Sequence, residues 1–230
     1  MAPGGASRRK EDPLKTTELF DLSHTLAGEY LAGFAYPWEA LAGISQLILS
    51  LGEALPQEEY SHPAPDVWVH HTAQVAPTAF VGGPCIIGPK TEVRHCAFIR
   101  GSALVGEGCV VGNSTELKNV ILFDGVQVPH YNYVGDSILG HRAHMGAGSI
   151  TSNVKADKRP VVIHGAQELP TGRKKVGAML GDFADIGCGT VLNPGTVVGR
   201  NTNIYPLCAV RGVIPADSIV KTGGQIVPKV

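Results

Sequence analysis

Charge is what this chain has least of. Only 17% of its 230 residues are Asp, Glu, Lys or Arg, and 19 basic side chains nearly cancel 20 acidic ones. No basic surplus exists to neutralise a nucleic acid or to hold an anionic membrane surface. No apolar run approaches the roughly 20 residues a membrane helix needs. The polar start, Met1 to Asp12 with Arg8, Arg9 and Lys10, has no apolar stretch directly after it, so no signal peptide is expected and a cytoplasmic location is. Cysteine is sparse as well. Five residues, an odd number without a CxxC pair, make neither a disulfide framework nor a zinc ribbon, and no metal is expected. Glycine is abundant by contrast, 29 of 230. Low charge with high glycine suits many tight turns around a narrow core, and the apolar content is too high for a disordered chain.

The apolar residues repeat. Every sixth position from Val69 is apolar: Val75, Val81, Ile87, Val93, Ile99, Val105, Val111, Leu117 and Phe123 follow in turn. Four places after each comes a small residue, as at Ala73, Ala79, Cys85, Thr91, Ala97, Ala103, Cys109 and Thr115. The phase is lost near Phe123, returns at Tyr133, Leu139 and Met145, is lost after Ile150 and returns at Leu180, Ile186, Leu192, Val198, Ile204 and Val210. One aliphatic per six fills a narrow prism, the small residue fits its corner, and glycine often follows the aliphatic where the turn demands it. Three hexads close one triangular coil. The fold expected for residues 66–230 is therefore an all-β solenoid, a parallel β-helix of hexapeptide repeats stabilised by stacking neighbours. Cys85, Cys109 and Cys208 fall in the small-residue column as buried thiols.

Residues 1–13 read as a disordered tail and 14–65 as a helical cap with its linker. Trp38, Leu41, Ile44, Leu47, Ile48 and Leu51 recur at helical spacing after Pro37, and Leu22, Leu26, Tyr30 and Leu31 follow the candidate caps Asp21 and Ser23. Two helices are expected, closing the open N-terminal end of the solenoid. The interruption at 151–179 is long for a connection and carries Lys155, Lys158, Arg159, Arg173, Lys174 and Lys175. It is either a solvated loop or a basic cover for an anionic ligand.

Coil length turns spacing into geometry. Arg100 and Lys118 lie one coil apart, each directly after an interior aliphatic, so they are expected to stack on one edge roughly 5 Å apart. Two such cations repel unless an anion lies between them, and a phosphate would satisfy both; otherwise they splay into solvent. The phase break from Phe123 to Tyr133 is expected to push side chains outward, and it holds His130, a residue suited to general-base work on an amine.

The stretch Arg100, Glu116-Leu117-Lys118, His130-Tyr131-Asn132-Tyr133-Val134-Gly135-Asp136 and Gly146-Ala147-Gly148-Ser149-Ile150-Thr151-Ser152-Asn153 closely resembles the acetyltransferase half of the bifunctional N-acetylglucosamine-1-phosphate uridyltransferase / glucosamine-1-phosphate N-acetyltransferase family. The resemblance is specific over about residues 100–153. It implies a left-handed β-helix, a homotrimer with sites between subunits, and acetyl-CoA as co-substrate. It implies that Arg100, Lys118 and Tyr133 bind a sugar phosphate, that His130 is the base, and that Asn153 lies near the thioester. His144 replaces an asparagine that contacts the sugar, and Ala147 with Cys188, in place of a serine, would line the coenzyme groove. The chain also departs from the family at Val154, where an aromatic residue is usual. No glycine-rich nucleotide loop stands in the N-terminal helices, so no uridyltransferase half is expected.

Two rival readings accompany this one. A γ-type carbonic anhydrase on the same solenoid would need three histidines converging on zinc, yet His141 and His144 are three apart on a strand and point apart. A scaffold or sugar-nucleotide sensor without turnover would keep the basic pair and tolerate the changes at His144, Val154 and Cys188.

Overall fold

The computed structural model describes residues 12–229. The expected tail therefore lies outside the described residues except for Asp12 and Pro13. Asp12 is held, its carboxylate accepting the Tyr36 hydroxyl at 2.8 Å.

Short parallel strands stack on three faces of a prism. On the first face the inward column runs Val69, Ile87, Val105, Leu122, Leu139, Leu180, Val198 and Ile214 in direct register. On the second, Val75 pairs with Val93, Val93 with Val111 and Val111 with Val128, and Met145, Ile186, Ile204 and Val220 continue the column. On the third, Val81, Ile99, Leu117 and Val134 lead to Thr151, Leu192 and Val210. Cys85, Cys109 and Cys208 are buried as expected of the small-residue column.

Outside the excursion, three positions of the repeat differ from the six-residue count: one lies late in the chain, where Val198 pairs with Ile214, 214 − 198 = 16 residues on, and two lie near the middle. Val105 pairs with Leu122 and Leu117 with Val134, so these coils are 122 − 105 = 17 and 134 − 117 = 17 residues long. The strands Glu116–Leu122 and Tyr133–Leu139 run straight through a corner, turning at Asn119 (φ 55°) and Asp136 (φ 49°) with one residue fewer. Phe123 therefore takes the place where other coils have glycine, and its ring packs 5.1 Å from Phe20. Val134 takes the interior place, which leaves Tyr133 on the outside.

The helical cap is present, but it covers a flank of the solenoid and not its N-terminal end. Helices α1 (Thr16–Leu19), α2 (Gly28–Ala32) and α3 (Ile44–Ala54) alternate with 3-10 turns at Leu22–His24 and Pro37–Ala42. Helix α3 packs on the strands Cys85–Ile87, Ala103–Val105 and Glu116–Leu122, and the turn Pro37–Ala42 packs on Tyr133–Leu139. The reason lies in the first face itself. Its outward residues Ile86, Leu104, Ile121, Ile138, Met179 and Val197 are also apolar, and each is at most 1% exposed. Each such side chain is worth about 1.5–3 kcal/mol when covered. Gly52 admits the close approach, because the Trp68 ring occupies the space a Cβ would need. Among the described residues nothing covers the N-terminal end, a concavity lined by Val69, Ala73, Val75, Ala79 and Val81.

The excursion at 151–179 folds back on the same flank. It leaves after Asn153, is tied at its base by a bridge between Val154 and Lys175, and forms a hairpin of Val162–His164 with Glu168–Pro170. Val161 and Ile163 are fully buried. Among the described residues no helix is long and apolar enough to cross a membrane.

Candidate functional site

The corner between the third and first faces gathers four of the residues singled out in the sequence. Ile99 pairs directly with Leu117, so Arg100 and Lys118 leave the same edge one coil apart. Two carboxylates complete the group. Arg100 Nη1 donates to Glu116 Oε1 at 2.8 Å, a pair open to solvent on both sides. This contact is the first cause that raises the Arg100 pKa. Lys118 Nζ donates to Asp136 Oδ1 at 3.0 Å and Oδ2 at 3.2 Å. The Asp136 side chain is only 2% exposed while Lys118 is 30% exposed, so the cation is the group that reaches water. The repulsion expected between Arg100 and Lys118 is thus met by acids of the chain itself, and the four charges sum to zero.

Tyr133 and Asn153 close the corner. Tyr133 lies beside Glu116 in register. Asn153 Nδ2 donates to Tyr133 Oη at 3.1 Å and to Asp136 Oδ2 at 2.6 Å. Burial raises the Tyr133 pKa, with the Asn153 hydrogen bond acting against it, so the phenol keeps its proton at neutral pH. Asn119 also joins, donating to Asp136 Oδ1 at 2.9 Å and to the carbonyl of Leu41 at 3.2 Å. The helical layer is thereby connected to the site. The excursion starts and ends here: Val176 N–H donates to the Asn153 carbonyl and Gly177 N–H to the Asp136 carbonyl.

The opposite edge of the third face carries a second set. His130 ends the strand Gln127–His130 and is exposed. Its backbone carbonyl accepts from Gly148 N–H, that of Ala147 from Gly189 N–H and that of Cys188 from Leu207 N–H. His130, Ala147 and Cys188 therefore stack in successive coils along one edge. Asn132 fixes the His130 turn. Its Oδ1 accepts the His130 N–H at 3.1 Å while its buried amide group donates to Gly146 and Ser149. Tyr131 and Leu207 protrude, 63% and 80% exposed, and between them Gly148 and Gly189 have no side chain. The space beside Gly148 is open, while the Leu207 side chain lies over Gly189.

His144 is not brought to this face. It lies on the second, its Nδ1 2.8 Å from Asp185 Oδ1, a contact that lowers the Asp185 pKa. The residues sequence reasoning passed over are Glu116, Asn132 and Asp136. Asp136 was within reach of the same step that joins Arg100 to Lys118, since 136 − 118 equals 118 − 100.

This arrangement is a parallel β-helix of hexapeptide repeats with a polar edge, and comparison with known proteins gives its relatives. The profile of the GMPPB C-terminal domain matches residues 83–167. The chain is 33% identical over 109 residues to the bifunctional protein GlmU of Methanococcus aeolicus, a match covering 47% of this chain and 26% of that protein. It is 31% identical over 87 residues to a bifunctional sugar-1-phosphate nucleotidylyltransferase/acetyltransferase of Sulfurisphaera tokodaii, covering 37% and 22%. The similarity thus spans about a quarter of the length of these curated relatives, and it falls on the acetyltransferase half of the GlmU proteins. Among solved structures, a hexapeptide transferase family protein from Anaplasma phagocytophilum aligns with 16% identity over 70% of this chain and 77% of its own, at a TM-score of 0.40. PerB from Caulobacter crescentus, solved in complex with CoA and GDP-perosamine, aligns with 17% identity over 80% and 67%, at 0.33.

Proposed function

We propose that the chain is a CoA-dependent N-acyltransferase that acetylates an amino sugar carrying a phosphate, glucosamine-1-phosphate or a related amino sugar or sugar nucleotide. The observation that carries this reading is the division of one face into two edges. One edge offers Arg100, Lys118, Tyr133 and Asn153, a phosphate- and amine-binding set. The other offers His130 in line with a row of small residues, Ala147, Gly148, Cys188 and Gly189, along which an extended thioester arm would lie. The GlmU relatives, whose matched region is the acetyltransferase half, support the same chemistry. As in those resemblances, we propose a homotrimer. In it the second face of a neighbouring subunit, with His144, would approach the third face of this one.

In the proposed reaction the sugar phosphate replaces Glu116 at Arg100. That pair is exposed and screened by water, so a dianionic ligand displaces it readily. Lys118 keeps Asp136 and still has a proton to offer, since an ammonium carries three donors. His130 takes a proton from the sugar amine, and the amine nitrogen attacks the thioester carbonyl of acetyl-CoA. The C–N bond forms, the C–S bond breaks, and the thiolate of CoA leaves with the proton that His130 received.

The test is free-thiol release from acetyl-CoA with glucosamine-1-phosphate and a panel of amino-sugar phosphates and nucleotide-linked amino sugars. Release with at least one of them supports the reading and identifies the acceptor; none from a folded protein ends it. A second reading, a sugar-phosphate binder without turnover, is favoured by the zero net charge of the basic pair with its two acids. It predicts calorimetric binding of the same compounds with no thiol release.

A further inference from the structure

The corner contains an amide whose orientation is fixed by its neighbours. Asn153 Nδ2 carries two hydrogens. One goes to Asp136 Oδ2 at 2.6 Å and the other to Tyr133 Oη at 3.1 Å. Oxygen and nitrogen of an amide are assigned from the surrounding network, and here the network decides. A carboxylate oxygen only accepts, so the atom of Asn153 facing Asp136 must be the nitrogen. Asp136 is itself held from its other side, where Oδ1 accepts from Lys118 Nζ at 3.0 Å and from Asn119 Nδ2 at 2.9 Å. The consequence is a fixed polarity. Both donors of Asn153 are used, and only its Oδ1 remains for a ligand. Tyr133 Oη accepts from Asn153, so its hydroxyl proton remains to donate.

We propose that Asp136 is the positioning residue of this site, holding Asn153 as a hydrogen-bond acceptor and Tyr133 as a donor. An acceptor at Asn153 suits the N–H of the attacking amine and aims its lone pair; it cannot stabilise an oxyanion, which needs a donor. The donor in the pair is Tyr133, suited to a phosphate or thioester oxygen. The catalytic meaning rests on the acyl-transfer reading above, but the polarity itself does not.

Substitution can invert the polarity while keeping the shape. In Asp136→Asn the oxygen of the new amide stays toward Lys118 and Asn119, so its N–H₂ faces Asn153. Asn153 must then turn, offering its oxygen to position 136 and its N–H₂ to the ligand. Adding Asn153→Asp restores the acceptor at 153, with a donor at 136, although Tyr133 then donates its hydroxyl proton to the new carboxylate instead of keeping it for the ligand.

Two readouts separate the polarity from the function. In ¹⁵N–¹H spectra the Asn153 side-chain amide protons, assigned by their loss in Asn153→Asp, exchange slowly in the wild type and shift with faster exchange in Asp136→Asn. Identical signals in both proteins overturn the proposal whether or not the chain is an enzyme. In thiol-release kinetics, Asp136→Asn lowers kcat on the order of 10²-fold, as a misaligned reacting group does, with the KM for acetyl-CoA unchanged. The double variant recovers part of that loss, the part due to the acceptor at 153. A folded double variant as slow as the single one overturns the acceptor role, since it means that Asn153 acts through its hydrogens. Should Asp136→Asn alone fail to fold, the double variant carries the kinetic test against Asn153→Ala. The proposal expects it to be faster. Should the wild type release no thiol, the acyl-transfer reading fails and the spectra still decide the polarity.

Discussion

The first and third faces of the prism have the same interior and opposite exteriors. Inside, both stack one large aliphatic per coil, Ile87 and Val105 on the first, Ile99 and Leu117 on the third, all fully buried. Outside, the first face continues apolar through Ile86, Leu104, Ile121 and Ile138, while the third presents Phe98, Glu116 and Tyr133 in register, with Arg100 and Lys118 beside them. The outward residue therefore decides whether a face collects the rest of the chain or stays open. The helical layer and the excursion both settle on the apolar exterior, and the candidate site forms where that cover ends. Burial on both sides of a parallel strand produces continuous apolar runs, and Ile86-Ile87, Leu104-Val105, Ile121-Leu122, Ile138-Leu139 and Met179-Leu180 are such runs.

The contrast can be broken most strongly at Ile121. Ile121→Asp places an unpaired carboxylate under the helical layer and is expected to abolish two-state folding or lower stability by more than about 3 kcal/mol, whereas Phe80→Asp on the third face, where the ring is 58% exposed, shifts it by about 0.5 kcal/mol or less; urea titration compares them. Leu104→Ala comes next, at about 3 kcal/mol for a buried leucine, against little for Phe80→Ala. At the corner, Lys118→Ala leaves Asp136 with its two amide donors only. A loss of the order of 2 kcal/mol is expected, below the range for fully buried pairs because Lys118 is partly exposed.

Thiol reactivity sharpens the contrast without changing stability. Burial pushes the Cys109 thiol up to about 12 and that of Cys85 higher still, while Cys96 and Cys188 are exposed. A thiol reagent is expected to modify Cys96 and Cys188 in the native protein and to leave Cys85 and Cys109 until unfolding. Acetyl-CoA is expected to slow Cys188 selectively; equal protection of Cys96 would argue against the His130–Cys188 edge as its site.

The smallest expected effect is at the seam between the helical layer and the solenoid. There His141 stacks on His24 at 3.8 Å, with Asp21, Asp124, Asp182, Arg142 and Arg200 around them. Burial first, then the charge of His24, lowers the His141 pKa. A lowered histidine binds its proton less well in the folded state than in the unfolded chain. Its contribution to stability is therefore present above about pH 6.5 and lost as pH falls below that value. Melting temperature is expected to fall from about pH 7.5 to about pH 5.5, and less so in His141→Gln.

The interior of the solenoid was readable because its period is short and repeated many times. The slip near Phe123 showed in the sequence as lost phase, but its cause, one residue omitted at a corner, shows only when the strands are paired. An amphipathic pattern such as Trp38, Leu41, Ile44 and Ile48 says that a helix buries one face, not against what. The apolar doublets of the first face held that answer. At the site, Arg100 and Lys118 could be joined by coil length alone and His130 singled out by the phase break, whereas Tyr133 in the site and Asn153 came by resemblance. Asp136 follows Gly135 and reads locally as a turn residue. Its left-handed backbone fits that reading, and its carboxylate acquires its partners only when Lys118 and Asn119 arrive from one other segment and Asn153 from a second.

The proposed acyl transfer depends on His130 removing a proton from an amine already bound at the opposite edge. The most direct test is the rate of N-acetyl product formation from acetyl-CoA and the reactive amino sugar in His130→Ala, with calorimetry of both ligands on the same variant. The account predicts a loss of 10²-fold or more in kcat, on the order of general-base catalysis, with both ligands still bound. Product formed at the wild-type rate would contradict it.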